Sequence, residues 1–287
     1  MKNYKVTHGE VIKHSAELPG FPAVITRILA TLDDPESTTE MLVAHIVRDP
    51  VIAARVISLA NAAAKQTQRR SAISNISTAT SLIGTNRVRE MAIVSSVAGF
   101  FEGIAPAGMA TSFWQHSVAV GVCCEELALH TATPASSSAA LVAGLLHDVG
   151  QLWLFHFDAE AYRAAWSNAL THSIGIEEAE RERFGVDHSN IGAWLAEHWS
   201  LPVNIVAAIR RHHAPDAALT EPLVPLVHVA EVLSNALDLT AREENRVTSI
   251  SSAACRALDL NWNESVRPLF GRMEARSHHA NAFFHRD

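Results

Sequence analysis

The stretch AALVAGLLHDVGQLWL, residues 139–154, decides the fold. Its run of small and aliphatic residues predicts a core helix that closes near its middle. One imidazole and one carboxylate, His147 and Asp148, lie side by side at that point. Because an unpaired charged side chain is costly to bury, the folded protein must compensate for this pair.

Helix signals recur on both sides of this stretch. Pro22 opens an apolar-periodic run, Asp49-Pro50 separates two others, and Asp158 precedes a further one. Acidic N-caps and prolines in the first turn are typical of helix starts. No period-2 alternation persists anywhere in the chain, so the sequence predicts an all-α fold.

The composition fits a globular protein with a sizeable core. The chain has 287 residues, of which 48% are hydrophobic and 18% charged, and its net charge is -7. That charge gives no overall bias toward nucleic acid or an anionic membrane. The first 20 residues contain no apolar leader and three cysteines form no disulfide framework, so we expect a soluble cytoplasmic protein that does not bind a membrane.

A basic stretch interrupts the acidic background. Between residues 65 and 89 there is no acid, and the stretch carries five cations, namely Lys65, Arg69, Arg70, Arg87 and Arg89. It would receive an acidic partner or a phosphate, although solvated surface charge is the simpler interpretation. Because the stretch contains no aromatic residue for base stacking, nucleic acid is not the expected partner.

Histidine is the residue type that stands out, with 16 histidines against 2 tyrosines. Several polar side chains other than His147 and Asp148 also lie at or inside apolar helices, namely His116, His188, His212, His213 and Glu231. One or two divalent cations would compensate for them, and imidazole with carboxylate suits Fe, Mn, Zn or Mg. The alternative is a set of separately satisfied core and helix-end histidines.

The order of these residues resembles the H…HD…D motif of the HD superfamily of metal-dependent phosphohydrolases. The wider set of blocks resembles the HDOD domain, an HD-related output domain. These blocks include LPGFPAVITRILATLDDP, IVRDPVIAARVISLANAA, FWQHSVAVG, AALVAGLLHDVGQLWL and FGVDHSNIGAWLAEHWSLP. They run in family order over residues 15–240.

The resemblance implies an HD-superfamily helical bundle, residues 106–240, preceded by an N-terminal helical subdomain, residues 15–105. Beyond the matched blocks, the more polar residues 241–287 predict a helical extension, and its end SHHANAFFHRD, which lacks any pattern, is expected to be disordered. HDOD domains are generally output or scaffold modules of bacterial signal transduction. We therefore expect a regulatory module whose partners are signalling proteins.

The related HD-GYP phosphodiesterases, which cleave cyclic di-GMP, imply an extended ligand set. Carried over by position, the metal ligands would be His116, His147, Asp148, His188, His212, His213 and Glu231, with Asp148 bridging two ions. This keeps open a second hypothesis, a metal-dependent phosphohydrolase acting on a nucleotide or cyclic dinucleotide. The chain departs from that pattern because the run HHAPDAALTEP lacks a GYP signature and Glu231 stands where an aspartate is expected. We also predict that His228, one turn from Glu231, orients it.

Overall fold

The computed structural model describes residues 5–31, 36–66, 73–104, 110–131, 133–240, 249–262 and 266–281. Over these ranges the chain is predominantly helical and contains no strand, which confirms the all-α prediction. We number the helices α1 to α16 in chain order.

The amino-terminal helices pack mainly around the long helix α6. They are α1 (His8–Ser15), α2 (Ala23–Ala30), α3 (Thr39–Val47), α4 (Pro50–Gln66), α5 (Ile76–Ile83) and α6 (Thr85–Ile104). The Asp49 carboxylate accepts the N–H groups of Val51 and Ile52 and so caps the start of α4. Only α1 departs from this group, because it packs on helices of the next part of the chain.

The following helices form the bundle that carries the conspicuous histidines. They are α7 (Ala110–His130), α8 (Ser137–Leu146), α9 (Val149–Phe157), α10 (Ala159–His172), α11 (Ile176–Phe184), α12 (His188–His198), α13 (Val203–Arg211) and α14 (Leu223–Ala236). Helix α8 packs along α7, and α14 covers both. Helix α12 lies between α9 and α13. One apolar core runs from α2 through α6 into α7, α8 and α14, so both groups of helices share it.

Two carboxy-terminal helices follow, α15 (Ser252–Ala257) and α16 (Arg267–Asn281). Helix α16 packs along α7, where the Arg276 guanidinium lies 2.7 Å from Glu90 and 2.7 Å from Glu126 and also pairs with Glu125. Burial raises the pKa of Glu125 to about 7 against the opposing effect of Arg276. We expected disorder in the run SHHANAFFHRD, residues 277–287, but residues 277–281 belong to α16, and residues 282–287 lie outside the described residues.

Glycines let the central helices approach one another closely. A Cβ on Gly144 of α8 would lie 2.7 Å from the Gly121 Cα of α7. A Cβ on Gly150 of α9 would lie 2.0 Å from the carbonyl oxygen of His188, the first residue of α12. Since no real Cβ tolerates such contacts with backbone, these two glycines set the spacing of the helices that carry the histidines.

One segment, Ser137–Phe157, is long and apolar enough by composition to cross a membrane. It comprises α8, α9 and the His147-Asp148 turn between them, and 94% of its apolar window is buried inside the protein. We therefore assign it to the core.

We predict that Gly150→Ala destabilises the protein by about 3 kcal/mol, because the added methyl group overlaps the His188 carbonyl and forces α9 away from α12. Denaturant unfolding followed by circular dichroism measures this. Gly271→Ala is the matched control, since a Cβ at Gly271 in α16 meets nothing within 4 Å. The control should raise stability by about 0.5–1 kcal/mol, and equal effects of the two changes would contradict the close-approach argument.

Candidate metal centre

The structure brings together all seven side chains that the sequence singled out as metal ligands. They form two neighbouring groups, and within each group one ligand atom per residue lies within 4.8 Å of the others. The first group contains Asp148, His188, His212 and His213, and the second contains His116, His147 and Glu231.

The seven residues come from different helices that meet at the turn between α8 and α9. His147 follows the last residue of α8, and Asp148 immediately precedes α9. His116 lies within α7 and Glu231 within α14, while His188 is the first residue of α12. The remaining two, His212 and His213, follow α13 directly. The centre therefore depends on helix packing between segments more than 100 residues apart in the chain.

The Asp148 carboxylate lies between the two groups. Its Oδ2 is 3.5 Å from His116 Nε2 and 3.4 Å from His147 Nε2. Its Oδ1 is 3.2 Å from His188 Nε2 and 3.9 Å from His212 Nε2. Each carboxylate oxygen thus faces its own pair of imidazoles, which is the arrangement expected of a ligand that bridges two cations.

Backbone carbonyls fix two of these imidazoles. The Nδ1–H of His147 donates to the Gly144 carbonyl at 2.8 Å, and the Nδ1–H of His212 donates to the Ile209 carbonyl at 2.7 Å. A carbonyl accepts only from a protonated nitrogen, so in the neutral form of either ring Nε2 carries the lone pair that faces the centre. This tautomer is the one that coordinates metal through Nε2.

Glu180 of α11 orients a third imidazole and was missed by the sequence analysis. Its Oε2 accepts both the backbone N–H of His188 at 2.8 Å and the His188 Nδ1–H at 2.6 Å, and its side chain is fully buried. One signal was available, because Glu180 lies four residues before the buried Phe184 and so on the same helix face. A carboxylate behind a histidine is a common support for a metal ligand.

The electrostatics follow from burial and from the neighbouring charges. Burial lowers the pKa of His188, but the Glu180 and Asp148 carboxylates outweigh burial and raise this pKa well above its usual value. Burial and the neighbouring His188 lower the pKa of His213 to about 3. Burial is also the main reason that the pKa of Glu231 rises to about 7. His213 is therefore neutral and ready to ligate, whereas His188 favours its charged form and Glu231 is partly protonated near neutral pH, so a cation that binds here would displace protons from both.

Two buried atoms of the centre support this donor set. His147 Nε2 and Asp148 Oδ1 are buried and make no hydrogen bond. Three ring nitrogens also lie close together in the centre. His188 Nε2 is 2.9 Å from His213 Nε2 and 3.4 Å from His212 Nε2. Imidazole nitrogens this close need a proton or a cation between them. Nitrogen and carboxylate donors without a thiolate fit Fe, Mn, Zn or Mg.

The prediction that His228 orients Glu231 is wrong. Both of its ring nitrogens are used elsewhere, since Nδ1–H donates to the His212 carbonyl at 2.9 Å and Nε2 accepts the Ser251 N–H at 3.0 Å. His228 instead fixes the backbone of one candidate ligand and ties it to the segment that begins α15.

The basic stretch is described only in part. Arg87 pairs with Glu90 at 2.5 Å, and Arg89 donates to the Asn86 side chain at 3.3 Å. Arg69, Arg70 and the side chain of Lys65 lie outside the described residues. The described arginines are therefore held by local acceptors of their own helix.

We predict that Glu180→Gln lowers the affinity for a divalent cation by about 10- to 100-fold, because the amide no longer fixes the His188 tautomer as a carboxylate does. Calorimetric titration of metal-free protein with Zn²⁺ measures the affinity, and the ¹⁵N shifts of His188 report its tautomer. Glu178→Gln, an exposed position of the same helix, is the control and should change neither. Unchanged affinity and tautomer in Glu180→Gln would contradict this positioning role.

Comparison with known proteins identifies the family and the relatives that the chain matches. The family model of the HDOD domain matches residues 18–215. An uncharacterized protein of Treponema pallidum is 23% identical over 235 residues, which is 77% of this chain and 43% of that protein. The chain thus spans less than half the length of the curated relative it matches.

Solved structures show the same fold. An HDOD domain protein of unknown function from Geobacter sulfurreducens matches with a TM-score of 0.76 at 22% identity, covering 96% of each chain. A candidate phosphohydrolase from Shewanella amazonensis matches with a TM-score of 0.70 at 23% identity, covering 95% of this chain and 97% of that one. Since the family match covers more than half of the residues, the chain belongs to the HDOD domain family, as its sequence blocks predicted.

Proposed function

We propose that the chain is an output module of bacterial signal transduction that acts in the cytoplasm by binding a signalling protein and is built around a divalent-cation site. Membership of the HDOD family supports the signalling part. A candidate signal transduction protein from Marinobacter aquaeolei shares the fold with a TM-score of 0.76 at 22% identity, and the match covers 94% of this chain and 60% of that one.

The proposed cation site uses the seven residues of the two groups. His188, His212 and His213 would hold one ion with Asp148, and His116 and His147 would hold a second ion with Glu231 and the same aspartate. The donor set admits one or two ions of Fe, Mn, Zn or Mg.

Burial is the observation that favours binding over turnover. The side chains of His147, His188 and His212 are fully buried, and His116 and Asp148 are 3% exposed. A phosphodiester substrate must displace ligands or water at the ions to react, which requires an open coordination position. A site enclosed by its own ligands is better suited to holding helices together than to admitting a phosphodiester.

Glu231 adds to this argument. A glutamate carboxylate still ligates a cation, but its extra methylene moves the oxygens by about a bond length, while productive catalytic geometry tolerates roughly 0.5 Å. Cation binding survives such a change more readily than catalysis does.

A metal-dependent phosphohydrolase acting on a nucleotide or cyclic dinucleotide is the second candidate. The observation that favours it is the position of Asp148 between two separate groups of ligands. A divalent cation bound there would act as a Lewis acid toward a phosphoryl oxygen. Among the seven residues of the centre, Glu231 and His213 are partly exposed, and the other five are buried.

We predict one or two Fe, Mn or Zn ions per chain in protein purified anaerobically without a histidine tag, and loss of at least one ion in His147→Ala. Plasma mass spectrometry measures the metal content. His198→Ala is the control, because His198 is an exposed residue of α12 outside the centre and should retain full metal content. Folded wild-type protein without metal would contradict the cation site.

We further predict that hydrolysis of bis-(p-nitrophenyl) phosphate with Mn²⁺ does not exceed the rate of Mn²⁺ alone and is equal for the wild type and Asp148→Asn. Absorbance at the nitrophenolate band follows the reaction. Hydrolysis that requires Asp148 would favour the phosphohydrolase instead.

The signalling part has its own test. Deleting the gene should change a signalling output, and expressing either the wild-type chain or folded Asp148→Asn protein should restore it. If the wild type restores the output and folded Asp148→Asn protein does not, the result argues against a module that acts only by binding.

A further inference from the structure

Two candidate ligands lie just beyond a helix end. His212 is the C-cap residue of α13, and His213 follows it. The carbonyls at the end of a helix have no partner inside that helix and need a donor from elsewhere. A short 3-10 turn, Pro215–Ala217, comes next in the chain. The positions of both imidazoles therefore depend on what holds the backbone after α13.

His228 of α14 supplies a donor to this backbone. Its Nδ1–H donates to the His212 carbonyl at 2.9 Å, and the residue is 8% exposed. A carbonyl accepts only from a protonated nitrogen, so in the neutral ring this bond requires the tautomer in which Nε2 carries the lone pair. The tautomer of His228 thus decides whether the His212 carbonyl has this donor.

The carboxy-terminal segment fixes that tautomer. The Ser251 N–H donates to His228 Nε2 at 3.0 Å, and only an unprotonated nitrogen accepts it. Ser251 is also the N-cap of α15, where its hydroxyl accepts the Ala254 N–H at 3.0 Å. The same hydroxyl donates at 2.5 Å to Asp216, which lies in the turn after His213. Ser251 therefore holds this part of the chain at two points.

Helix α15 anchors Ser251 in place. Ala254, Cys255 and Leu258 are buried in the apolar core, and α15 packs on α14 and on the turn Pro215–Ala217. Packing therefore holds Ser251 against His228 in addition to the hydrogen bond. The family model ends at residue 215, so it assigns no role to this segment.

We propose that His228 and Ser251 are positioning residues of the cation site, through which the docked segment that begins α15 sets the affinity of the first ligand group for its ion. This inference rests on the proposed cation site and adds its regulation. Coupling of two binding events is reciprocal, so an ion in the first group favours docking of the segment by the same factor.

The second ligand group should not follow the segment. Its members, His116, His147 and Glu231, come from α7, the end of α8 and α14, and none of them lies after α13. A loss confined to the first group therefore distinguishes positioning from a general loss of stability.

The test titrates the metal-free full chain with Zn²⁺ by calorimetry, as wild type and as Ser251→Pro. Proline removes the N–H that His228 accepts, and the Ser251 φ of -69° already suits a proline. The binding step of the first group is the one that His213→Ala abolishes. In Ser251→Pro this step should weaken by about tenfold or more, and the other step should keep its affinity.

Two serine variants serve as matched controls. Ser252→Pro places a proline at the first residue of α15, where the missing N–H has no helical partner, and it should bind as the wild type does. Ser251→Ala removes the hydroxyl and keeps the N–H, so it should lose much less affinity than Ser251→Pro. Equal losses in Ser251→Ala and Ser251→Pro would overturn the inference, because the N–H would then have no effect.

A pair of His228 variants tests the same link if the proline variant does not fold. An asparagine amide always donates, so His228→Asn can serve the His212 carbonyl without help from Ser251. The first step should therefore be much tighter in His228→Asn than in His228→Leu, which has no donor. Adding Ser251→Pro to His228→Asn should cause no further loss. Equal affinity in the asparagine and leucine variants would contradict the positioning role.

The ¹⁵N shifts of His228 in metal-free protein give a readout that needs no cation. The wild type should show the Nδ1–H tautomer, and Ser251→Pro should show a mixture of tautomers. If the wild type has no Zn²⁺ step that His213→Ala abolishes, the proposed cation site is wrong and this inference falls with it. If that step exists and Ser251→Pro leaves it unchanged, this inference alone is overturned.

Discussion

A buried carboxylate is the constraint on which the centre of this protein depends. Asp148 is 3% exposed and lies between helices, where an uncompensated negative charge would be prohibitive. Burial raises the pKa of Asp148, but the neighbouring His147 and His188 outweigh burial and hold this pKa well below its usual value. The carboxylate therefore stays anionic. Compensation requires imidazoles on both oxygens, and those imidazoles come from α7, α12 and the end of α13 as well as from α8. The charge therefore dictates which helices must meet.

The packing around that charge is correspondingly close. Gly144 brings α8 onto α7, and Gly150 brings α9 onto the start of α12, so the histidines of these helices reach the same carboxylate. Behind the imidazoles, Glu180 and two backbone carbonyls fix which ring nitrogen faces inward. Because a supporting hydrogen bond sets both the tautomer and the ring direction, the centre is organised before any cation arrives.

The burial of the centre and the glutamate at position 231 both favour cation binding over catalysis. A cation needs only ligands at suitable distances, whereas hydrolysis also needs a path for the substrate and an open coordination position. The buried imidazoles satisfy the first requirement and leave little room for the second. A cation held by ligands from several helices would stabilise one arrangement of those helices.

The sequence by itself determined the all-α class, the HDOD family and the identity of seven residues that converge, because each of these is encoded locally or in the order of short motifs. It also placed Asp148 at the end of a core helix. It misassigned His228 and overlooked Glu180, since a hydrogen bond to a backbone carbonyl or to a distant imidazole leaves no periodic trace in the chain. Only the tertiary structure decided which oxygen of Asp148 faces which histidine and which polar atoms are buried without a partner, because both depend on helix spacing that distant glycines set.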